Sequence, residues 1–169
     1  MYDNGVLSFI EPGQTNALSP WQWYSSPINQ TQAKYFIAPL WADIAPVPQT
    51  TYTNDGTATS HKFSWNNIAE YYSAWGGTPR LNSFSLTIRP DGSINSTYNQ
   101  VNLQTSNVAI GTVGDPSKGE YNQIGYWSYG TQLNTNIVQN WSMNGTGNMC
   151  ATDPLSSPNC PGYATAYKT

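Results

Sequence analysis

Carboxylate pairs are the first chemistry to look for, because two carboxylates on either side of a sugar can cleave a glycosidic bond. The chain has nine acidic residues. Several lie in Asp-Gly or Asp-Pro dipeptides, which are typical of turns. Asp43, Glu70 and Glu120 remain as candidates, and no motif joins them. A glycosidase is therefore one of the functions that the residue types leave open.

Nucleophilic catalysis has little support in the residue types. It needs a base beside the nucleophile. The single histidine, His61, lies in an apparent strand, and no GxSxG motif accompanies it. The phosphate-binding loop pattern is absent as well. The sequence therefore predicts no catalytic residues and no enzyme.

Aromatic side chains offer a different chemistry, which is stacking on a sugar ring or contact with a protein partner. The chain has 7 Trp and 12 Tyr, and two short segments, PWQWY and YWSY, concentrate them. The candidate contact residues are Trp21, Trp23, Trp127 and Tyr129. The alternative is that such rings fill the core, since each can bury roughly 150–250 Å². For Trp41 and Trp65 we expect the core.

Composition excludes some partners and favours an extracellular setting. Charged residues make up 9% of the chain, against ~25% in an ordinary soluble domain. The net charge is −3 and no basic run occurs, so we expect no nucleic-acid partner. No apolar run approaches the ~20 residues of a membrane-spanning helix. Uncharged surfaces that are rich in aromatic residues are typical of extracellular, cell-surface and virion proteins.

The elements that must position these residues are short strands joined by polar turns. Alternation is clearest in SFSLTIRPDGSINSTY, where Phe84, Leu86 and Ile88 alternate with polar residues before a Pro-Asp-Gly turn. Another hairpin turn is expected at the Asn-Asp-Gly of residues 54–56. We predict an all-β fold, an antiparallel β-sandwich of short strands.

A helical pattern occurs once, in NNIAEYYSAW. Ile68, Tyr71, Tyr72 and Trp75 fall at the spacing of one helix face. A strand running through KFSWNNIAEYY is the competing interpretation. We therefore expect at most one short helix.

The last part of the chain differs in composition from the rest. We assign residues 1–140 to the β domain and residues 141–169 to an extended tail or linker that is rich in Pro, Ser and Asn. Cys150 and Cys160 lie in this tail. A local disulfide is the simplest interpretation, and two free thiols are the alternative. We also expect the chain to be a piece of a longer polypeptide.

Asn-X-Ser/Thr sequons could carry glycans if a eukaryotic host secretes the protein. They begin at Asn29, Asn95, Asn140 and Asn144. A chain rich in Asn, Ser and Thr also produces such triplets by chance, and in a bacterium or a phage they would go unused.

A series of segments spread over residues 2 to about 130 has the order of a known family. The segments are YDNGVLSF, IAPLWADI, KFSWNNIAEYY, LNSFSLTIRPDGSI and STYNQVNLQTSNVAIGTVGD. They resemble the nidogen-like extracellular (NIDO) domain, whose hallmark is an apolar segment ending in Trp-Ala-Asp. Ser85 and Leu103 stand where the family tends to have Gln and Trp, which indicates a distant, microbial or viral member.

The resemblance implies an extracellular domain without catalytic activity, found in adhesion and matrix proteins. The residues that match the family's structural motif are Trp41, Asp43, Trp65, Phe84, Asp91 and Gly92. For Asp43 this favours a structural role, in which the carboxylate accepts backbone N–H bonds or pairs with Arg80 or Arg89. Asp43→Ala would then destabilise the domain. A calcium ligand is the second interpretation of Asp43.

We therefore expect a non-enzymatic, extracellular or virion-surface domain for structure and adhesion. Its expected partners are other protein subunits, through self-association or assembly. A carbohydrate-binding module is the alternative, and exposed, coplanar rings would favour it. A glycosidase ranks after both, and two carboxylates facing each other across a cleft would favour that reading.

Overall fold

The computed structural model describes residues 1–10, 15, 17, 25, 27–140 and 144–145, with backbone alone at residues 29 and 144–145. The strands in this part of the chain are β1 (Leu7–Ser8), β2 (Phe36–Ala42), β3 (Ile44–Ala45), β4 (Thr51–Gly56), β5 (His61–Glu70), β6 (Leu81–Ile88), β7 (Ile94–Gln100), β8 (Asn102–Leu103), β9 (Val108–Val113), β10 (Tyr121–Trp127), β11 (Leu133–Asn134) and β12 (Asn144–Gly145). The helices are α1 (Tyr71–Ala74) and α2 (Thr135–Gln139), with 3₁₀ helices at Ile28–Gln30 and Pro116–Lys118.

The strands form two main antiparallel sheets. The larger sheet has the order β12–β7–β6–β5–β3, and β4 pairs with the first half of β5. The smaller sheet has the order β1–β2–β9–β10. Strands β8 and β11 form a separate two-stranded pair. The predicted all-β sandwich is thus confirmed.

The core lies between the two sheets. Trp65 of β5 stacks on Phe84 of β6 with ring centroids 4.9 Å apart, and both rings are buried. From the opposite sheet, Leu40 and Ile110 pack into the same cluster. The buried Tyr98 hydroxyl donates a hydrogen bond to the Pro39 carbonyl at 2.6 Å and so links the sheets. The prediction that Trp65 fills the core is confirmed.

Strands β2 and β9 of the smaller sheet are buried on both faces, which explains the unbroken apolar run of β2. All seven residues of β2 are buried. On the face away from the main core, Trp41 packs with Phe36 and with Ile28 from the segment that precedes β2. A strand covered on both sides reads as a continuous hydrophobic run rather than an alternating one. Trp41 is therefore a core residue, as predicted.

Gly5 lets the N-terminal segment approach β2. Its φ is +80°, a conformation that L side chains rarely adopt, and a Cβ there would overlap the Leu40 carbonyl oxygen. The Ala42 N–H donates to the Asn4 carbonyl at 3.2 Å, and the Trp65 indole N–H donates to the Tyr2 carbonyl at 2.9 Å. The first residues of the chain are thus tied to both sheets.

One predicted turn is confirmed and one is wrong. At the confirmed turn, Asp91 accepts the Ser93 N–H at 2.8 Å and Gly92 has a φ of +78°. Residues 54–56, by contrast, lie in β4 and pair with β5. The hairpin turns at residues 57–60, where the Thr57 hydroxyl accepts the Ser60 N–H at 3.0 Å. This side-chain hydrogen bond stabilises a turn that lacks glycine.

The segment whose spacing predicted a single helix is divided in the structure between a strand and a helix. Strand β5 runs as far as Glu70, and only the four residues after it form α1. A second short helix, α2, was not predicted, because five residues are too few to show a periodicity. The Asn134 side chain caps it by accepting the Ile137 N–H at 3.1 Å. In the described residues, no helix has the length and apolar character needed to cross a membrane.

Most of the assigned tail, residues 141–169, lies outside the described residues. Its backbone at Asn144–Gly145 forms β12, which pairs with β7 at the edge of the larger sheet. The boundary at residue 140 therefore falls before the last described strand. The predicted disulfide between Cys150 and Cys160 lies outside the described residues.

Candidate functional site

Glu70 is a carboxylate at the centre of one end of the sandwich, and its side chain is fully buried. It ends β5, where the chain leaves the sheet and enters α1. Its Oε2 accepts a hydrogen bond from Nε of Arg80 at 2.6 Å. Its Oε1 accepts the backbone N–H groups of Gln104 and Thr105 at 2.8 and 2.6 Å, and the Ser106 hydroxyl at 3.1 Å.

These bonds join two loops that are far apart in the sequence. The segment from Glu70 to Arg80 closes on itself, since the Glu70 N–H donates to the Arg80 carbonyl at 2.9 Å. The Ser73 hydroxyl donates to the Glu70 carbonyl at 2.7 Å and accepts the Arg80 N–H at 2.8 Å. The Glu70 carboxylate then fastens this loop to residues 104–106. Glu70 is the anchor of both loops.

The Glu70 carboxylate stays ionised in this position. Burial raises its pKa, but hydrogen bonds from the Thr105 and Gln104 amides and from Arg80 outweigh that effect and hold the pKa below its usual value. Both oxygens are occupied by groups of the protein. The arrangement suits a structural anchor and leaves no lone pair directed at a substrate.

Asp43 lies beside Glu70, in the break between β2 and β3, and is half-buried. Burial and, to a smaller extent, the Glu70 charge raise its pKa to about 6. Its backbone carbonyl accepts the Tyr71 N–H at 2.9 Å and the Ser106 hydroxyl at 3.2 Å. Among the described residues, no hydrogen bond or ion pair reaches its carboxylate.

The expected arginine partner of Asp43 is therefore wrong. Arg80 is bound to Glu70, and Arg89 bonds Ser93 at 3.4 Å in the turn after β6. Glu70 has the role that the sequence suggested for Asp43. As for calcium, the part of the chain that the structure describes contains no group of three or more His, Cys, Asp or Glu side chains placed to hold a metal ion.

Substitution Asp43→Asn tests the cost of this unpaired charge. Because the folded-state pKa is raised above the ordinary 3.8, the native state holds a proton more tightly than the unfolded chain does. The contribution of Asp43 to wild-type stability should therefore fall as the pH rises from about 4 to 6. We expect Asp43→Asn to unfold at the same urea concentration as wild type at pH 4. Above pH 6 it should be more stable by up to about 1 kcal/mol, a figure reduced for solvent screening.

Urea unfolding at pH 4, 5, 6 and 7 measures the effect. Asn has nearly the same shape as Asp, so a difference that grows with pH reports the charge alone. A difference that stays constant with pH would contradict the account. The expectation that Asp43→Ala destabilises the domain concerns loss of the whole side chain and stays a prediction.

The loops anchored by Glu70 present exposed aromatic rings. Tyr72 and Trp75 follow β5 and are 62% and 76% exposed. Tyr129, 67% exposed, follows β10, and its N–H donates to the Asn107 side chain at 2.6 Å. Because residues 104–107 bond Glu70 at one end and Tyr129 at the other, all three rings belong to the same end of the sandwich.

We call this region the loop end and define it as residue 43 with residues 70–80, 104–107 and 128–130. The strands explain why these segments meet. In the smaller sheet, Val108 at the start of β9 pairs with Ala42 at the end of β2 and with Trp127 at the end of β10. The antiparallel pairing of β2, β9 and β10 thus brings residue 43, residues 104–107 and residues 128–130 to the same end of the sheet.

The predicted aromatic contact residues are only partly brought together. Tyr129 is exposed at the loop end. Trp127 is half-buried, packs against the core, and lies over Gly125, where a Cβ would overlap its ring. Trp21 and Trp23 lie outside the described residues. Sequence reasoning missed Tyr72 and Trp75, because their helical spacing suggested a buried face. The Gly-Gly that follows Trp75 was the available signal of an exposed turn.

The third carboxylate is far from the loop end. Glu120 accepts the Asp115 N–H at 2.9 Å in the turn between β9 and β10. Asp115 also forms an ion pair with Lys34 at 2.8 Å. This turn lies at the opposite end of β9, whose six residues span roughly 20 Å. The three carboxylates therefore do not form one site.

The remaining predicted residues have local partners. His61 is exposed, stacks on Phe63 with centroids 4.7 Å apart, and hydrogen-bonds the Asn54 side chain. Of the sequon residues, Asn140 is exposed at the end of α2 and Asn95 is half-exposed in β7, where it accepts the Thr97 hydroxyl at 3.3 Å. The side chains of Asn29 and Asn144 lie outside the description.

Comparison with known proteins returns no relatives. No protein-family model, no curated protein and no solved structure matches this chain.

Proposed function

We propose that this chain is a non-enzymatic, extracellular or virion-surface domain for structure and adhesion, which binds other protein subunits through the loop end. The observation that carries the proposal is the set of exposed rings at Tyr72, Trp75 and Tyr129. Large exposed aromatic residues on a fixed base are typical of protein interfaces, where Trp and Tyr often dominate the binding energy.

The chemistry of the loop end supports binding rather than turnover. Glu70 is fully engaged by the protein, and Glu120 lies in the turn at the opposite end of β9. Of the other two candidate carboxylates, neither is therefore placed to act with Asp43 across a glycosidic bond. The low charge of the chain and its resemblance to nidogen-like domains support the same proposal.

The double variant Tyr72→Ala/Trp75→Ala tests the role of the loop end. With the chain immobilised and the same chain in solution as the probe, both carrying Asn54→Pro so that strand β4 cannot pair between copies, we expect the double variant to bind at least ten-fold more weakly, since aromatic hot spots contribute ~2 kcal/mol or more each. Its stability should stay within about 0.5 kcal/mol of wild type, because the truncated rings are exposed. Biolayer interferometry and urea unfolding measure the two quantities.

Tyr121→Ala is the matched control. Tyr121 is 39% exposed and starts β10, at the end of the strand remote from the loop end. It should bind as wild type does. Equal binding by wild type and the double variant would contradict the proposal, and so would equal losses in the double variant and the control.

A carbohydrate ligand is the second candidate, and Asp43 is the observation that favours it. Its carboxylate is free to accept sugar hydroxyl groups, and exposed rings lie on the loop it adjoins. A glycan array probed with wild type, Trp75→Ala and Asp43→Asn tests this reading. A glycan bound by wild type and lost in both variants would favour it, whereas an array with no bound glycan would count against it.

A further inference from the structure

The outer edge of β4 is a second surface suited to assembly, away from the loop end. We infer that two copies of this chain pair edge to edge along β4, antiparallel, about a two-fold axis at Asn54. The inference rests on the proposed assembly function but uses a different surface. Variants of the loop end and variants of β4 can therefore fail independently.

Strand β4 is the long, regular edge in the described part of the chain. It pairs with β5 without interruption over all six residues, and five of the six are exposed. It contains neither proline nor lysine. Within the described residues, no backbone hydrogen bond reaches its outer side. An edge with these properties is a ready template for another strand.

The other edges are protected in ways that proteins use against unwanted pairing. Strands β1, β3, β8, β11 and β12 have two residues each, and prolines at positions 46 and 48 follow β3. Strand β10 is longer, but its register shifts between Gln123 and Gly125, and such a bulge twists an edge away from a partner. Strand β4 is longer than the two-residue strands and has no register shift, which indicates that its edge is suited to pairing.

The hydrogen-bond pattern of the hairpin shows which groups of β4 are available. The Thr57 N–H donates to the Ser60 carbonyl at 2.8 Å. Along an antiparallel ladder, residues alternate between facing the partner strand and facing away. Counting back from Thr57, the peptide groups of Tyr52, Asn54 and Gly56 face outward.

A second copy fits this edge in one best register. With Asn54 opposite its own copy, Tyr52 lies opposite Gly56 and all three outward residues can exchange hydrogen bonds, about six in total.

The charge of Asp55 disfavours one of the two neighbouring registers. Asp55 lies opposite the uncharged Thr53 of the other copy. Centring the pair on Asp55 would set Asp55 against Asp55, which is unfavourable, and centring it on Thr53 or Asp55 would shorten the ladder. The sequence of β4 is thus compatible with its own copy in the register that makes the most hydrogen bonds.

Cysteine crosslinking tests the register. Opposed residues in a hydrogen-bonded pair have Cα atoms ~5.5 Å apart, which a disulfide can bridge. Under a mild oxidant, Asn54→Cys should form a covalent species of twice the 18.6 kDa chain mass, at least ten-fold more than Thr51→Cys. Asp55→Cys should crosslink less than Asn54→Cys. All variants keep the native cysteines, so the parent chain supplies the background.

Sedimentation velocity tests the pairing without crosslinks. Wild type should associate reversibly with rising concentration. Asn54→Pro removes an outward N–H and should weaken dimerisation at least ten-fold, whereas Asn54→Ala keeps that N–H and should dimerise like wild type. Both lose the bond to His61, so they are matched.

Three results would overturn the inference. They are a wild-type chain that stays monomeric at all concentrations, equal dimerisation of the proline and alanine variants, and equal crosslinking at positions 51 and 54. If Asn54→Pro fails to fold, the crosslinking comparison still decides. The Tyr72→Ala/Trp75→Ala variant should keep β4 pairing, which separates this outcome from failure of the loop-end proposal.

Discussion

Glu70→Ala should lower the free energy of unfolding by about 3–5 kcal/mol, the usual cost of removing one partner of a buried ion pair. The substitution leaves Arg80 without its carboxylate. It also leaves the Gln104 and Thr105 amides and the Ser106 hydroxyl without their acceptor. Unsatisfied buried donors cost ~1–3 kcal/mol each when water cannot reach them. Urea unfolding at pH 7 measures the effect.

Two further variants show how much of the Glu70→Ala loss is due to the charge and how much is specific to this position. Glu70→Gln keeps an acceptor oxygen but loses the charge, and should cost less than Glu70→Ala. Glu120→Ala removes a half-exposed carboxylate that accepts one backbone N–H, and should cost less than about 1 kcal/mol. A Glu70→Ala loss no larger than that of Glu120→Ala would show that Glu70 does not anchor the loops.

The Glu70 contribution should also depend on pH. Because its pKa is lowered from the ordinary 4.5 in the folded state, its stabilisation is present above pH 4.5. It is lost as the pH falls through the lower folded-state value. The gap between wild type and Glu70→Gln should narrow in acid. Asp43 has the opposite dependence, because its pKa is raised.

Gly5→Ala should be the next most damaging change, with a loss of about 3 kcal/mol or more. An added Cβ would overlap the Leu40 carbonyl oxygen and lie 3.0 Å from the Phe84 ring, and the φ of +80° adds backbone strain. The N-terminal segment would have to move away from β2. That movement would weaken the bond from the Ala42 N–H to the Asn4 carbonyl.

Gly119→Ala is the control for strain alone. Gly119 has a similar φ of +76°, but nothing lies within 4 Å of the Cβ that would be added. It should cost about 1 kcal/mol, the usual penalty for a non-glycine residue in this conformation. Similar losses at both positions would show that backbone strain, and not close approach to β2, explains the effect at Gly5.

Much of the fold could be predicted from local patterns. The alternation of Phe84 and Leu86 predicted β6, and the Asp-Gly at residues 91–92 predicted the turn to β7. Such patterns work because a strand with one buried face repeats every two residues. The β4–β5 turn was misplaced because an Asn-Asp-Gly signal competed with the Thr57 side chain, whose hydrogen bonds determine where the chain reverses.

The candidate site could not be predicted in the same way. Glu70 accepts hydrogen bonds from the Gln104 and Thr105 amides, 34 and 35 residues later in the chain, and no local sequence pattern predicts a contact at that distance. Asp43 drew attention because it ends a hydrophobic run, although the residue that holds the loops is its neighbour in space. Tyr72 and Trp75 were misread because the strand continues to Glu70 and leaves their helix as a single exposed turn.

The central claim is that the loop end is an adhesive surface, and aggregation of beads coated with the full chain tests it most directly. All beads carry Asn54→Pro, which prevents pairing along β4. Beads that are otherwise wild type should aggregate, Tyr121→Ala beads should aggregate equally, and Tyr72→Ala/Trp75→Ala beads should aggregate at least ten-fold more slowly. Wild-type and double-variant beads that aggregate at the same rate would contradict the claim, and so would wild-type beads that remain dispersed.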